Sequence, residues 1–229
     1  MMPYSRQVLL LLGKDLRIEA RGRQTIGLVV ILGVLIMVVL GLGLGAGKPV
    51  GGFAASAILW VAYLFGGVLC FERTMAWERH DDALAGLLAA PLSRSAIFTS
   101  KLVANVVLMF TLAVVVTPAA VALFRFDISE AFGAFAAVMS LGMIGFAAIG
   151  TLFAAAVSSS RLQGGLLAML VFPLCLPIVI ISTQVMRQVF ESHLDLWANL
   201  GQSGFATLAA ADLIYLVASW IVFEVVLEP

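Results

Sequence analysis

The residue types that most often perform catalysis or bind metal ions are few in this sequence, and they lie far apart. The two cysteines, Cys70 and Cys175, fall in different apolar segments with no second thiol nearby. This spacing favours neither a redox pair nor a zinc cluster. The two histidines, His80 and His193, are separated by three apolar segments, so they cannot share one metal ion. His193 alone fits either an axial haem ligand or ordinary interfacial polar surface, and the second is the more common.

A glycine-rich stretch, residues 41–48 (GLGLGAGK), superficially resembles a nucleotide-binding P-loop. Leu42 stands where the first glycine of that motif is required, and Pro49 replaces the Ser or Thr that binds magnesium. The stretch also follows an apolar segment instead of a β-strand. Repeated small residues of this kind are typical of close packing between membrane helices. We therefore expect any nucleotide hydrolysis to occur on a partner chain.

Two acidic residues, Asp212 and Glu224, fall inside the last apolar segment. A charge at the centre of a membrane costs about 2.5–3.5 kcal/mol on insertion scales, so such residues usually face a protein interior. Glu224 lies close enough to the end of its segment to reach water, which leaves Asp212 as the internal site. A structural hydrogen bond and a proton relay are both open for Asp212, although a relay is expected to involve more acids.

The composition of the chain indicates the class of protein that positions these residues. Of the 229 residues, 62% are hydrophobic and only 11% are charged, and the mean hydropathy is +1.12. Soluble domains carry about 25% charged residues. The composition therefore excludes a soluble enzyme, a basic nucleic-acid binder, a disordered chain and a disulfide-rich secreted scaffold. The solvent for most of this chain is lipid.

Six apolar segments are long enough to cross a membrane, since a helix of about 20 residues spans about 30 Å of hydrocarbon. They cover residues 24–46, 51–71, 102–124, 131–157, 164–186 and 205–227. The sequence predicts an all-α integral membrane protein, with one domain, 1–229, built as a six-transmembrane-helix bundle. The first segment is expected to be an uncleaved anchor, because its apolar run exceeds that of a signal peptide.

The distribution of lysine and arginine predicts the orientation, because cytoplasmic loops carry the excess of these residues. One side holds ten of them: Arg6, Lys14, Arg17, Arg21, Arg23, Arg73, Arg79, Arg94, Lys101 and Arg161. The other side holds three: Lys48, Arg125 and Arg187. Both termini are therefore predicted to lie in the cytoplasm.

Two polar segments are predicted to lie on membrane surfaces. Residues 1–23 mix an apolar run with acidic and basic residues, which fits a cytoplasmic amphipathic helix or an ordinary basic tail. Residues 187–204 place apolar side chains at helical spacing, which favours an amphipathic helix on the outer surface over a lid above a pathway. Between these segments, Pro173 and Pro177 of the fifth span predict a kink, which suits a moving helix and static packing equally.

The longest polar interruption, residues 72–101, carries four acidic and four basic residues, so it is not a polybasic lipid-binding patch. A helix cap, an apolar face and a stop follow one another in it: Asp81 or Asp82, then Leu84, Leu87 and Leu88, then Pro91. The pattern predicts a short cytoplasmic helix that offers its apolar face to another protein.

Several motifs in and around this connector resemble a known family. The pairs Glu78-Arg79, Ala83-Leu84 and Leu87-Leu88, followed by residues 91–94 and Lys101, resemble the coupling segment of type-2 ABC export permeases. More narrowly, residues 58–62, 71–73, 89–92 and 164–177 resemble haem exporter protein B, the CcmB family of the bacterial cytochrome c maturation system. The paired glycines and two prolines of residues 164–177 distinguish this family from other type-2 ABC export permeases. The resemblance extends over nearly the whole chain.

The resemblance implies a permease without its own ATPase, in the bacterial inner membrane. It implies a partner subunit, CcmA, that holds ATP and Mg²⁺, and further partners CcmC, CcmD and the haem chaperone CcmE. It also implies a pair of permeases per complex, haem as the candidate substrate and no directly bound cofactor. The expected ATPase-coupling residues are Glu78, Arg79, Asp81, Asp82, Ala83, Leu84, Leu87, Leu88 and Pro91. The structural or pathway candidates are Glu72, Arg73, Asp212, Pro173 and Pro177.

Two other functions remain open for this sequence. A proton-coupled secondary transporter would rely on Asp212 and Glu224 and would need no ATPase. A non-transporting scaffold would hold the haem-handling proteins together. The clustering of eight charges in residues 72–101 favours the ATPase-driven permease over both.

Overall fold

A computed structural model describes residues 2–21, 23–43, 50–79, 86, 90–125, 128, 131–158, 166–191 and 204–226. All regular secondary structure in these ranges is α-helical. The helices are α1 (Tyr4–Arg21), α2 (Arg23–Gly43), α3 (Gly52–Arg79), α4 (Arg94–Phe124), α5 (Phe132–Ser158), α6 (Leu166–Glu191) and α7 (Phe205–Val226).

Five helices, α3 to α7, are long and apolar enough to cross a membrane. The prediction of an all-α membrane protein is confirmed, and five of the six predicted spans correspond to helices of this kind. Helix α2 contributes a shorter apolar stretch, Gly27–Gly43. The predicted span over residues 24–46 therefore stays a prediction.

The helices around the polar connector are longer than the apolar segments that predicted them. Helix α3 continues past Phe71 to Arg79, and α4 begins at Arg94 instead of Leu102. Ser93 explains the early start of α4, because its extended backbone and its hydroxyl, which accepts from the Ala96 N–H at 3.3 Å, form an N-cap. Much of the connector predicted over 72–101 is therefore helical.

Helix α6 likewise continues past its predicted end. It runs without a break through Met186 to Glu191, so the first residues of the predicted outer segment, 187–204, extend a spanning helix. Residues 192–203 of that segment lie outside the described residues, and the separate surface helix stays a prediction.

The centre of the bundle is formed by α3, which packs against α2, α4, α5 and α6. Its large side chains Trp60, Tyr63 and Phe71 are all less than 2% exposed. Phe71 meets Phe146 of α5 edge to face, with ring centroids 5.0 Å apart. The Phe71 ring also occupies the space that a Cβ on Gly150 would need, so glycine at this position allows α3 and α5 to approach closely.

We expect Gly150→Ala to destabilise the protein by about 1–3 kcal/mol, because the added methyl group collides with the Phe71 ring and overpacks the core. Gly133→Ala is the matched control on the same helix, because nothing lies within 4 Å of its added Cβ. Thermal unfolding in detergent should show a lower Tm for Gly150→Ala alone. Equal Tm values for the two variants would contradict the close packing of α3 and α5.

A buried ion cluster as the candidate functional site

Four charged side chains meet where α1 crosses the last turn of α3 and the first turns of α4. Lys101 Nζ lies 2.6 Å from Glu78 Oε1 and 3.0 Å from Asp15 Oδ1. Lys14 Nζ lies 2.5 Å from the same Glu78 oxygen and 3.3 Å from the same Asp15 oxygen. We call these four residues the ion cluster, and we call the end of the bundle that holds them the charged end.

The ion cluster is largely removed from solvent. The side chains of Glu78 and Lys101 are each 4% exposed, that of Asp15 is 8% exposed, and only Lys14 reaches solvent, at 38%. Burying a charge is costly unless it is paired and hydrogen-bonded. The two positive and two negative groups compensate one another, and each helix that contributes one is thereby held to the other two.

The pairing shifts the pKa values of two residues of the ion cluster that lie outside the membrane spans, Glu78 and Lys14. Burial alone would raise the pKa of Glu78, but the charges and hydrogen bonds of Lys101 and Lys14 outweigh it and hold that pKa below its ordinary value. Burial alone would lower the pKa of Lys14, but its hydrogen bond to Glu78 and the charge of Asp15 raise it. Both residues therefore stay charged at neutral pH.

A second set of contacts holds the start of α1 against α4. The Gln7 side chain, which is 7% exposed, accepts a hydrogen bond from the Ser93 backbone N–H at 3.0 Å. The Tyr4 hydroxyl lies 2.7 Å from the Thr99 hydroxyl and donates to the Ser95 carbonyl at 3.2 Å. Together with the ion cluster, these contacts fix α1 to α4 at two places about two to three turns of helix apart.

Helix α1 buries two polar residues and exposes two leucines, although Arg6 and Arg17 are also exposed. Gln7 and Glu19 are buried at 7% and 8% exposure, whereas Leu9 and Leu10 are 67% and 57% exposed. A helix on a water-soluble protein would show the opposite arrangement. Exposed leucines on this helix suit contact with lipid.

A chain of hydrogen bonds continues from the ion cluster into the bundle, and we call it the polar chain. Lys101 Nζ donates to the Thr74 carbonyl at 3.4 Å, and the Thr74 hydroxyl lies 3.0 Å from Asn105 Oδ1. The Asn105 amide donates to the Thr151 hydroxyl of α5 at 2.8 Å. Asn105 and Thr151 are fully buried. The polar chain therefore links the charged end to α3, α4 and α5.

The structure describes only some of the residues predicted to couple to an ATPase. Glu78 lies buried in the ion cluster, while Arg79 ends α3 and Pro91 is exposed just before α4. Six further positions lie outside the described residues: Asp81, Asp82, Ala83, Leu84, Leu87 and Leu88. The short helix predicted for them stays a prediction.

The structural or pathway candidates lie apart from one another. Glu72 and Arg73 are half-buried on α3 near the charged end, and Pro173 and Pro177 are exposed on α6, which continues through both. Asp212 of α7 is only 4% exposed and packs against Gly145 of α5, where a Cβ would collide with the carboxylate. Neither carboxylate oxygen has a hydrogen-bond partner within the described part of the chain.

A groove of about 580 Å³ lies between α4 and α5, away from the ion cluster. Its lining is almost wholly apolar, and the hydroxyls of Thr117 and Ser140 are already bound at 2.6 Å, to Tyr63 and to the Ala136 carbonyl. The groove thus suits hydrocarbon better than a charged molecule.

In the ranges that the structure describes, no three His, Cys, Asp or Glu side chains are grouped so that they could hold a metal ion.

The sequence does not show that the four residues of the ion cluster meet, because the contact depends on how α1 crosses two distant helices. Asn105 carries a detectable signal, since an amide within a long apolar segment usually has a partner inside the protein. Thr151 carries none, because a threonine can bond its own helix, as this one does with the Ala147 carbonyl.

We expect Lys101→Met to cost about 3–5 kcal/mol of unfolding free energy, because it leaves two buried carboxylates with only the partly exposed Lys14 as a cation. Denaturant titration in detergent measures this cost, with Arg17→Met on the exposed face of α1 as the control. Adding Glu78→Gln should recover part of the loss, because it removes one of the uncompensated charges. Strictly additive losses would contradict a coupled cluster.

A family model and a known protein match most of this chain. A family model described as CcmB protein matches residues 6–221. Heme exporter protein B of Rhodobacter capsulatus is 28% identical over 182 residues, which span 79% of this chain and 83% of the relative. The family match begins in α1, includes the ion cluster and the polar chain, and ends in α7. The family resemblance drawn from the sequence is confirmed, and the chain belongs to the CcmB family.

Proposed function

We propose that this chain is the membrane permease subunit of an ATP-driven ABC complex that exports haem, or releases a haem-loaded chaperone, in cytochrome c maturation. The family assignment and the name of the Rhodobacter relative, an exporter of haem, support the transport function. The observation that carries the ATP-driven part is the ion cluster, which joins the two helices on either side of the connector to the interior of the bundle.

The arrangement of α3 and α4 suggests how motion would enter the bundle. A partner ATPase that displaces the connector between Arg79 and Arg94 moves the end of α3 and the start of α4. Because Glu78 and Lys101 are locked together at 2.6 Å, these ends move as one body, together with α1. The polar chain then extends the connection to Thr151 in α5.

The orientation follows from the same proposal. The charged end faces the cytoplasm, as the ten-to-three distribution of basic residues predicts, and both termini lie on that side of the bacterial inner membrane. Helix α2 is the first of six spans. Helix α1 lies along the cytoplasmic membrane surface with Leu9 and Leu10 toward lipid, in keeping with their exposure.

The chain itself is proposed to be a transport subunit without enzymatic activity. Hydrolysis of ATP, with Mg²⁺, belongs to the CcmA subunit, and CcmC, CcmD and CcmE are the further partners. Two copies of the permease pair with two ATPases. Haem is the substrate or is carried by the released chaperone.

The burial of Asp212 supports a second candidate, a proton-coupled transporter. An acid 4% exposed inside a membrane helix is an unusual placement, which either close packing on Gly145 or a transport role would explain. A non-transporting scaffold is the third candidate, and it predicts that a hydrolysis-dead ATPase subunit still supports cytochrome c assembly.

We expect Leu84→Glu, Leu87→Glu and Leu88→Glu each to abolish co-purification of the ATPase subunit, because a charge on the predicted apolar face prevents docking. Phe132→Glu, on an exposed residue at the opposite end of the bundle, is the control and should leave co-purification unchanged. Pull-down from membranes measures both. Full binding by the three leucine variants would overturn the coupling helix.

We expect Asp212→Asn to keep cytochrome c assembly close to the wild-type level, because the amide fills the same space against Gly145. The yield of haem-attached cytochrome c in cells gives the measurement, and protein abundance in the membrane serves as the control. Complete loss of assembly at normal abundance would favour the proton-coupled candidate.

A further inference from the structure

The groove between α4 and α5 runs along the two helices, in the half of the bundle away from the charged end. On α5, its lining extends from Phe132, the first residue of the helix, to Met143. This stretch is about 17 Å long at a rise of about 1.5 Å per residue. The hydrocarbon core of a membrane is about 30 Å thick, so one leaflet contributes about 15 Å. The groove therefore matches the hydrocarbon thickness of a single leaflet.

The groove has an exposed rim and a buried floor. Val114 and Phe132 on the rim are 71% and 60% exposed, whereas Phe135 and Met139 on the floor are each 5% exposed and Met143 is 0% exposed. Exposed apolar side chains on membrane-spanning helices meet lipid tails, which are equally apolar. The groove therefore opens sideways into the bilayer.

The volume of the groove is too small for a whole helix. A helix about 10 Å wide takes up about 1,300 Å³ over a length of about 17 Å, whereas the groove offers about 580 Å³. This volume lies within the range of about 300–1,000 Å³ that is typical of small-molecule sites. A thin and flexible occupant, such as a hydrocarbon chain, fits a space that is as long as one leaflet and narrower than a helix.

The polar side chains of the lining are already bound within the protein. The hydroxyl of Thr117 is bound to Tyr63 and that of Ser140 to its own helix, and no residue of the lining is charged. A polar molecule that entered the groove would give up its bonds to water and would gain few in return. A hydrocarbon chain gives up none, because it leaves surroundings that are equally apolar.

A cation marks the mouth of the groove at the membrane surface. Arg125 ends α4 in a left-handed conformation, φ 53°, and its backbone N–H donates to the Val121 carbonyl at 2.9 Å. Val121 and Ile128, which stand on either side of Arg125 in the chain, both line the groove. Arg125 is exposed and takes part in none of the ion pairs between described residues. An unpaired arginine at this depth complements a phosphate group.

We propose that the groove between α4 and α5 binds one acyl chain of an anionic phospholipid, from the leaflet opposite the charged end, with the lipid phosphate at Arg125. The chain lies over Met139 and Met143 and completes the packing of α4 against α5 where their own side chains leave space. The site needs neither the ATPase nor the transported substrate. Its occupation by haem or by a second copy of this chain is the competing explanation.

Photolabelling of the full chain in nanodiscs tests the site. The discs contain phosphatidylcholine and a minor fraction of phosphatidylglycerol that carries a diazirine, either at the end of one acyl chain or beside its ester. We expect the chain-end probe to label Met143 and the ester-side probe to label Phe132. Met109 of α4 is the matched control, because it is equally buried and does not line the groove, so it should stay unlabelled. Met169, 74% exposed, should be labelled by ordinary contact with the bilayer.

Two pairs of variants separate the chain from the head group. Ala113→Phe fills the deep end of the groove and should abolish the label on Met143, whereas Val115→Phe, at an exposed position of α4 outside the groove, should retain it. Arg125→Gln should lower the label on Met143 about fivefold, the effect of one arginine near a lipid surface. Arg17→Gln, exposed at the charged end, should leave it unchanged.

Other outcomes overturn the proposal. A label on Met143 no stronger than that on Met109 in the wild type would exclude the acyl chain, and this comparison decides even if Ala113→Phe does not fold. Displacement of the label by added haem would assign the groove to haem. Absence of the label together with a disulfide between copies that carry Val114→Cys would assign it to a second copy. An unchanged label in Arg125→Gln would overturn the phosphate contact.

Discussion

The cost of removing a charge from water is the constraint on which this structure depends. Lys101 and Glu78 are each 4% exposed at the boundary of a membrane-spanning bundle, where neither would be tolerated alone. Their mutual contact brings together the end of α3 and the start of α4, and Asp15 brings α1 to the same point. One electrostatic requirement therefore brings three helices together at the charged end, while the rest of the bundle is held mainly by non-directional apolar packing.

Apolar contacts and hydrogen-bonded contacts differ in how they respond to movement between helices. Apolar contacts such as Phe71 against Phe146 tolerate small sliding movements between helices, because dispersion attraction has little directional preference. The ion cluster and the polar chain from Thr74 through Asn105 to Thr151 do not, because each hydrogen bond needs its own geometry. The charged end is thus the part of the bundle best suited to moving as a unit.

Much of the fold can be predicted from the sequence, because the membrane makes each apolar segment of about 20 residues a helix. The bounds around the connector cannot be predicted in the same way. The cap at Ser93 and the polar last turns of α3 to Arg79 form helix that is not apolar, so hydropathy does not mark it. The ion cluster cannot be predicted from the sequence, which offers Lys14 and Lys101 only as basic residues of the predicted cytoplasmic side. Asp15 and Glu78 are far apart in the chain, and only the crossing of α1 over α3 brings them together.

The packing of Asp212 against Gly145 also has a consequence for biosynthesis. Helix α7 leaves the ribosome after α5, and it carries an acid whose exposure to lipid costs about 2.5–3.5 kcal/mol on insertion scales. By then α5 has already been made, and the glycine surface that covers the carboxyl is available. The position of Asp212 downstream of Gly145 thus fits an order of assembly in which the helix that carries the acid enters the membrane next to a partner that is already in place.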